Sequence, residues 1–244
     1  MPQFRMQIAG HTAEITGCFD STPHQFSRYL TDRAPDFSVT VSPEDLRFEQ
    51  DELDREALEE GFRRRIFTDP FLERAAIQRK FAEYLLHHNI LLLHGSTVAV
   101  DGKAYLFTAR SGTGKSTHTR FWTEVFSGSA LMVNDDKPFL EISGSGVLAH
   151  GSPWSGKHGL DTNISLPLAG ICLLERGSEN MIRPAVPSEM LPRLFHESYR
   201  PQDPAYFETY CHLVEQLSES VPLWHMYCTR DPEAARIAYA AMAR

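Results

Sequence analysis

No apolar run in this sequence is long enough to cross a bilayer. The longest block, ILLL at Ile90–Leu93, falls far short of the roughly 20 residues a spanning helix needs, so no membrane partner is expected. A basic excess is also missing: 24 Lys and Arg face 32 Asp and Glu, a formal net charge of −8. A broad phosphate-neutralising surface needs clustered Lys and Arg, so nucleic acid is not expected as a partner. Cysteine is sparse, and Cys18, Cys172, Cys211 and Cys228 form no C-x-x-C pair. That spacing argues against a zinc knuckle or a disulfide framework and predicts reduced thiols. The first ten residues, MPQFRMQIAG, lack the apolar core of a secretory leader. With no repeat, low-complexity tract or linker, these absences predict a soluble, cytoplasmic protein.

What is present is a globular composition, 42% hydrophobic and 23% charged over 244 residues. That length suffices for one large α/β domain or two small ones. Short β-like runs, QFRMQIA and FSVTV, occupy residues 1–41. From Asp51 to about Arg65, Leu53, Ala57, Leu58 and Phe62 recur at helical spacing. The basic run FRRR (62–65) follows the acidic DELDREALEE and reads as a solvated continuation of that helix. Three further helices are announced by Asp-Pro pairs: Asp69-Pro70, Asp203-Pro204 and Asp231-Pro232. Each offers a side-chain cap followed by a ring preset for the first turn. They are expected to run to near Asn89, to about Leu217 and to the C-terminus. Between them lie the strand candidates STVAV, KAYLFTA, ALMVN, PFLEI, GICLLE and LWHMYC. Helices and strands mixed in this order predict an α/β fold with a mixed sheet.

Ala109 to Ser116 spells A-R-S-G-T-G-K-S, after an apolar strand and before a helix-compatible segment. That context suits a phosphate-binding loop. Gly112 and Gly114 let the amides of Ser111 to Thr117, Thr113 among them, converge on anionic oxygens. The N-terminus of the next helix adds its positive dipole end. Lys115 would reach the β and γ phosphates, and the Ser116 hydroxyl would help hold Mg²⁺. The loop starts with Ala109 where Gly is usual, which is tolerable wherever the backbone there is β-like.

Loop geometry extends the site. A helix from Ser116 to Phe126 descends about 16 Å, and a strand from Ala130 to Asn134 climbs back about 16 Å. Asp135 and Asp136 should then emerge level with the loop, at the edge where α/β sheets bind ligands. Adjacent acids can divide labour, one holding a metal and the other taking a proton. STVAV-DG-KAYLF reads as a hairpin with a two-residue turn at Asp101-Gly102. Counting outward pairs Val100 with Lys103 and, further on, His94 with Ala109. His94 then either faces the loop or merely ends a buried strand, since a register slip would remove it. A second hairpin, turning at Ser143 to Gly146, returns HGSPWSGKHG (150–159) towards the acid pair. Lys157 is its candidate for a second cation on a transferring phosphoryl group, against a plain surface loop anchored by Trp154. His118, Arg120 and Trp122, on the helix after the loop, read equally as ordinary packing. His87-His88 suits a helix C-terminus rather than a metal.

HGSTVAVDGKAYLFTARSGTGKST with VNDDKPFLEI resembles the catalytic core of HPr kinase and, more distantly, of ATP-dependent phosphoenolpyruvate carboxykinase. SGTGKSTHTRFW, NDDKPFL and GSPWSGKHG are similar to the small bacterial HPr kinase-like proteins. The likeness covers about Leu91 to Glu175. It implies one P-loop domain over 1–244 with a strongly twisted mixed sheet. Within it, 1–89 supply N-terminal strands and helices, 90–180 the nucleotide-binding core and 181–244 C-terminal helices and a strand. It implies ATP and Mg²⁺, Asp135 as general base, Asp136 with Ser116 as Mg²⁺ ligands, and His94 as an active-site residue. The chain departs from the family pattern at Ala109, Arg110 and Lys137. The expected activity is transfer of the γ-phosphoryl group to a hydroxyl of a protein, peptide or small molecule. A nucleotide-binding sensor and a simple NTPase are the alternatives, and a homo-oligomer is compatible with either.

Overall fold

The computed structural model describes residues 1–59 and 61–243. The chain divides into two units, Met1–Tyr84 and Leu85–Arg244.

In the first unit β1 (Gln3–Ile8) and β2 (His11–Thr16) form an antiparallel hairpin, and β3 (Phe37–Thr40) adds parallel to β2. A short helix α1 (Thr22–Gln25) precedes β3, and α2 (Pro43–Glu59) and α3 (Asp69–Leu86) follow. Met6, Ile8, Ala13 and Ile15 alternate inward along the hairpin, the period expected of a half-buried sheet. Phe37 packs edge-on to Phe81 and stacks on Tyr84, tying β3 to α3. Arg79 of α3 reaches Asp45 at 2.8 Å and Glu49 at 2.6 Å on α2.

The helix expected from Asp51 through Arg65 differs at both ends. It begins at Pro43, where Ser42 and Asp45 exchange backbone-to-side-chain bonds, the logic of a capping box. It ends before Gly61, whose φ of 79° places it in the left-handed region. The Gly61 amide bonds the Leu58 carbonyl and the Phe62 amide bonds the Ala57 carbonyl, the paired closure of a Schellman turn. FRRR therefore lies outside the helix as an exposed, irregular segment.

The second unit is a curled, mixed sheet. Its strands are β4 (Ile90–Leu92), β5 (Ser96–Val100), β6 (Lys103–Thr108), β7 (Ala130–Asn134), β8 (Phe139–Ser143), β9 (Gly146–His150), β10 (Ser165–Arg176), β11 (Met181–Pro184) and β12 (Leu223–Cys228). The order is β4-β8-β9-β10-β6-β5-β7, with β12 also paired to β10 and β11 to β12. The long β10 joins the parts: its start pairs antiparallel with β9, and further along it runs parallel to β6 and β12. Both hairpins take the predicted register, Val100 opposite Lys103 and Ser143 opposite Gly146.

The helices are α4 (Lys115–Val125), α5 (Pro187–Glu197), α6 (Phe207–Ser220) and α7 (Glu233–Met242). The later Asp-Pro signals hold: Asp203 accepts from the Ala205 amide and Asp231 from the Glu233 amide. Strand alternation separates two cores. Ala99, Ala104, Leu106 and Ile171 join α5 and α6 through Met190, Leu194, Leu213 and Leu217. Val98, Val100, Tyr105, Phe107 and Cys172 join α4 and α7 through Phe121, Trp122, Ala235 and Ala238. Burial on both faces explains why these strands read as almost unbroken apolar runs. The cysteines are unpaired, and among the described residues no helix is long and apolar enough to cross a membrane.

His118 belongs to the second of these cores. Its Nε2 accepts a bond from Trp122 Nε1 at 3.1 Å and its ring packs on Phe107, so its proton sits on Nδ1. Burial lowers its pKa from 6.5 to about 4. Between those values the unfolded chain binds the proton that the folded one refuses, so stability falls as pH drops through 6.5 and levels off below about 4. The full difference is about 3 kcal/mol. Urea unfolding followed by tryptophan fluorescence at several pH values should show this acid limb. His118→Gln, which keeps an acceptor for Trp122, should flatten it.

Candidate active site

The segment after β6 forms the proposed phosphate loop. Ala109 is buried and is absent from the positive-φ residues, whereas Gly112 and Gly114 have φ of 72° and 124°. A side chain at Gly114 would meet open space, so the backbone angle rather than crowding demands glycine. The Thr113 amide bonds the Arg110 carbonyl, closing the loop on itself. Ser111, Gly112 and Ser116 are exposed, and Thr113, Gly114 and Thr117 are half-buried. α4 starts at Lys115 with no side chain capping its first amides, which leaves them for an anion. Lys115 is buried and its Nζ donates to the Ala109 carbonyl at 3.0 Å. Burial lowers its pKa, against the pull of Glu197 and Asp136.

The acids that follow β7 are brought to this loop. Ser96 Oγ, at the start of β5, donates to Asp135 Oδ1 at 2.7 Å and also meets Thr119 Oγ1 of α4 at 2.7 Å. Ser116 lies near enough to act on the Asp135 carboxyl as well. Burial nevertheless raises the Asp135 pKa, overcoming Ser96 and Ser116, and the neighbouring Asp136 charge adds to the rise. Asp136 shifts the opposite way. Burial would raise it, but the bond from His94 and the charges of Lys137, His94 and Lys115 bring it below the usual carboxylate value.

His94 lies between β4 and β5, and the Thr108 hydroxyl donates to its carbonyl at 3.3 Å. Its ring does not merely terminate a strand: Nε2 meets Asp136 Oδ1 at 3.2 Å and Nδ1 meets Glu197 Oε2 at 2.9 Å.

The segment Gly151–Asn163 wraps the acid pair. The Asp135 amide bonds the Leu160 carbonyl and the Lys137 amide bonds the Trp154 carbonyl. Asn134, fully buried, donates to the Ser152 carbonyl and accepts from the Asp136 and Lys137 amides, at 2.8 and 2.6 Å. Lys157 sits on an exposed helical turn, Gly156–His158. A Cβ on Gly156 would lie 3.4 Å from the Asp136 Cβ, so the turn borders the acid pair. His158 acts on Asp135 by charge.

Asn134 stands in NDDKPFL with no role assigned there, and Arg176 and Glu197 lie at the site without a motif to mark them. Arg176, at the end of β10, donates from Nη2 to the Gly112 carbonyl at 2.6 Å. Its position at the carboxyl end of a buried strand was a usable signal. Glu197, in FHESYR, belongs to no motif. Beside the loop opens a cleft of about 220 Å³. Thr113, Thr117 and Phe121 line one side of it, and Arg176, Thr229 and Arg230 the other.

The donor set fits Mg²⁺, since a hydroxyl and ionised carboxylates are the hard oxygens that ion takes. Among the described residues no group of three or more His, Cys, Asp or Glu side chains could hold a metal ion. A Mg²⁺ here would share its coordination with phosphates and water, its usual habit.

No family model matches the chain, and no curated protein matches it. Among solved structures it is similar to the Hpr(Ser) kinase/phosphatase from Coxiella burnetii, with 10% sequence identity and a TM-score of 0.38. That likeness covers 61% of this chain and 94% of the other.

Proposed function

We propose that this chain is an ATP-dependent, Mg²⁺-requiring kinase that transfers the γ-phosphoryl group to a hydroxyl of a protein, peptide or small alcohol. The observation that carries the reading is a buried carboxyl, Asp135, held by Ser96 Oγ at 2.7 Å beside the phosphate loop and next to a second acid, Asp136, that His94 holds at 3.2 Å. A phosphate binder needs no second acid there, whereas phosphoryl transfer needs a proton acceptor beside the metal ligand. The motif resemblance points the same way.

In this reading the amides of Ser111 to Thr117 and the N-terminus of α4 hold the phosphates of ATP, and Lys115 leaves the Ala109 carbonyl to meet them. The cleft between α4 and the ends of β10 and β12 takes the nucleoside. Ser116 and Asp136 would hold Mg²⁺, which would supply neutralisation of phosphate charge. The acceptor hydroxyl loses its proton to Asp135 as its oxygen bonds the γ-phosphorus. The bond from that phosphorus to the β–γ bridging oxygen breaks, and ADP departs. Lys115, with Lys157 brought in from its turn, balances charge on the moving group. The raised pKa of Asp135 suits a proton acceptor, and the lowered pKa of Asp136 suits a permanently charged ligand.

The nearness of Ser116 to Asp135 favours a second division of labour. In it Asp135 joins Ser116 on the metal, and Asp136, coupled to His94, takes the proton. Asp135→Asn and Asp136→Asn separate the two. Under the first division Asp135→Asn lowers transfer by about 10²–10⁴-fold while Mg²⁺-dependent ATP binding, measured calorimetrically, stays near wild type. Loss of that binding in Asp135→Asn, with its retention in Asp136→Asn, would establish the second. Incubation of γ-labelled ATP with cell extract tests the class itself. Label on an acceptor supports the kinase, whereas free phosphate alone points to an NTPase and intact ATP to a sensor.

A further inference from the structure

The buried glutamate at the end of α5 has no part in the roles assigned so far, and its surroundings are built with care. Its Oε1 takes Arg193 Nη1 at 2.9 Å and His196 Nδ1 at 3.3 Å, leaving Oε2 to His94 Nδ1 at 2.9 Å. The backbone is fixed as closely as the side chain. The His94 amide donates to the Glu197 carbonyl at 2.7 Å, and the Tyr199 amide donates to the Leu92 carbonyl at 2.8 Å. Leu93 and Ser198 form an isolated antiparallel bridge. Ser198 Oγ meets the Tyr210 hydroxyl at 2.9 Å, and that hydroxyl also donates to the Phe195 carbonyl. The end of α5 thus acts as an extra strand laid along Leu92–His94.

We infer that Glu197 is a positioning residue of the proposed phosphoryl-transfer site, holding the His94 ring so that Nε2 is presented to Asp136. The inference rests on the kinase reading for the meaning of the site, but not for the geometry. An imidazole tethered at one nitrogen by a buried, oriented carboxylate has its ring plane and its free nitrogen fixed. The same arrangement in miniature orients the base of a nucleophile–histidine–acid triad. The Glu197 side chain is 4% exposed, against 27% for His94, so the tether is dry while the ring it holds borders the site. Burial alone would raise the Glu197 pKa, yet His94, Arg193 and Lys115 bring it down to about 2. The lowering favours the charged carboxylate, the form that holds the ring.

A residue acting through His94 has a signature that a structural ion pair lacks. Glu197→Gln should lower kcat by about 10–100-fold, the usual cost of losing an orienting partner, with KM for ATP within about threefold. In a His94→Asn background the same change should cost less than about twofold, because the ring it positions is gone. Glu197→Asp, whose carboxylate is withdrawn by one methylene, should fall between wild type and Gln. It carries the same cycle should Glu197→Gln fail to fold. Independently of activity, the rate of His94 modification by diethylpyrocarbonate, read by mass spectrometry at one pH, should rise when Glu197 is replaced. Equal losses in both backgrounds, or an unchanged modification rate, would overturn the assignment. If the wild type transfers no phosphate while the modification rate rises, positioning by Glu197 stands and the kinase reading falls.

Discussion

Charge compensation around Lys115 is the constraint on which the second unit depends. A buried ammonium without partners would cost several kcal/mol, and here the neighbourhood supplies both carbonyl and carboxylate oxygen. The Ala109 carbonyl accepts a hydrogen bond from Lys115 directly, while Asp136 and Glu197 act through space. Those acids are in turn held by the His94 ring and face the cations Lys137 and Arg193. The result is a closed circuit of alternating charge drawn from segments far apart in sequence. Removing one member leaves another uncompensated, so the segments cannot drift independently. Lys115 is also poised: its carbonyl bond is neutral and exchangeable, and an arriving phosphate offers it a better partner.

The sheet makes this circuit possible by pointing its strands one way. β6, β10 and β12 run parallel. β7 runs antiparallel to β5, and β5 antiparallel to β6, so β7 shares their direction. Their carboxyl ends deliver, in turn, the glycine loop, Arg176, Thr229 with Arg230, and the acid pair. β5 runs against them, so its beginning, not its end, lies at that edge and contributes His94 and Ser96. With helices on both faces, the strand ends are where polar groups can gather without disturbing a core.

Much of this was legible beforehand because the signals are local. Asp101-Gly102 sets a hairpin register through two residues of positive φ, and that register runs from Val100 opposite Lys103 to Ser96 opposite Phe107. The His94–Ala109 pair expected beyond it is not formed, and the His94 ring meets Asp136 and Glu197 instead. Glycine spacing, Asp-Pro caps and alternating apolar residues act over a few positions and survive into the fold. α2 shows the limit of periodicity. Leu53, Ala57 and Leu58 do share a helix, but the period continues through Phe62 past a glycine that ends it. Glu197 could not have been found this way. Its role comes from a backbone pairing between residues about a hundred positions apart, and nothing in FHESYR encodes the partner. The same holds for Asn134, whose side chain shapes the turn on which the acids sit, and which reads in the sequence as one more polar residue after a strand.

The contrast between Asp135 and Asp136 comes from that turn. Asn134 ends β7, and its Oδ1 accepts from the amides of Asp136 and Lys137, the latter shared with the Trp154 carbonyl, while the Asp135 amide donates to the Leu160 carbonyl. The chain is thereby bent so that successive side chains diverge. Asp135 turns inward to hydroxyls, Ser96 and Ser116, which satisfy a carboxylate without bringing positive charge. Asp136 turns to an imidazole and toward lysines, which do. Two identical groups on adjacent residues end on opposite sides of the ordinary carboxylate pKa: burial prevails at Asp135, where hydroxyl donors only partly offset it, while the bond from His94 and nearby positive charge prevail at Asp136. A site that must hold a metal and take up a proton needs that separation, and here it is made by the backbone geometry of one buried asparagine.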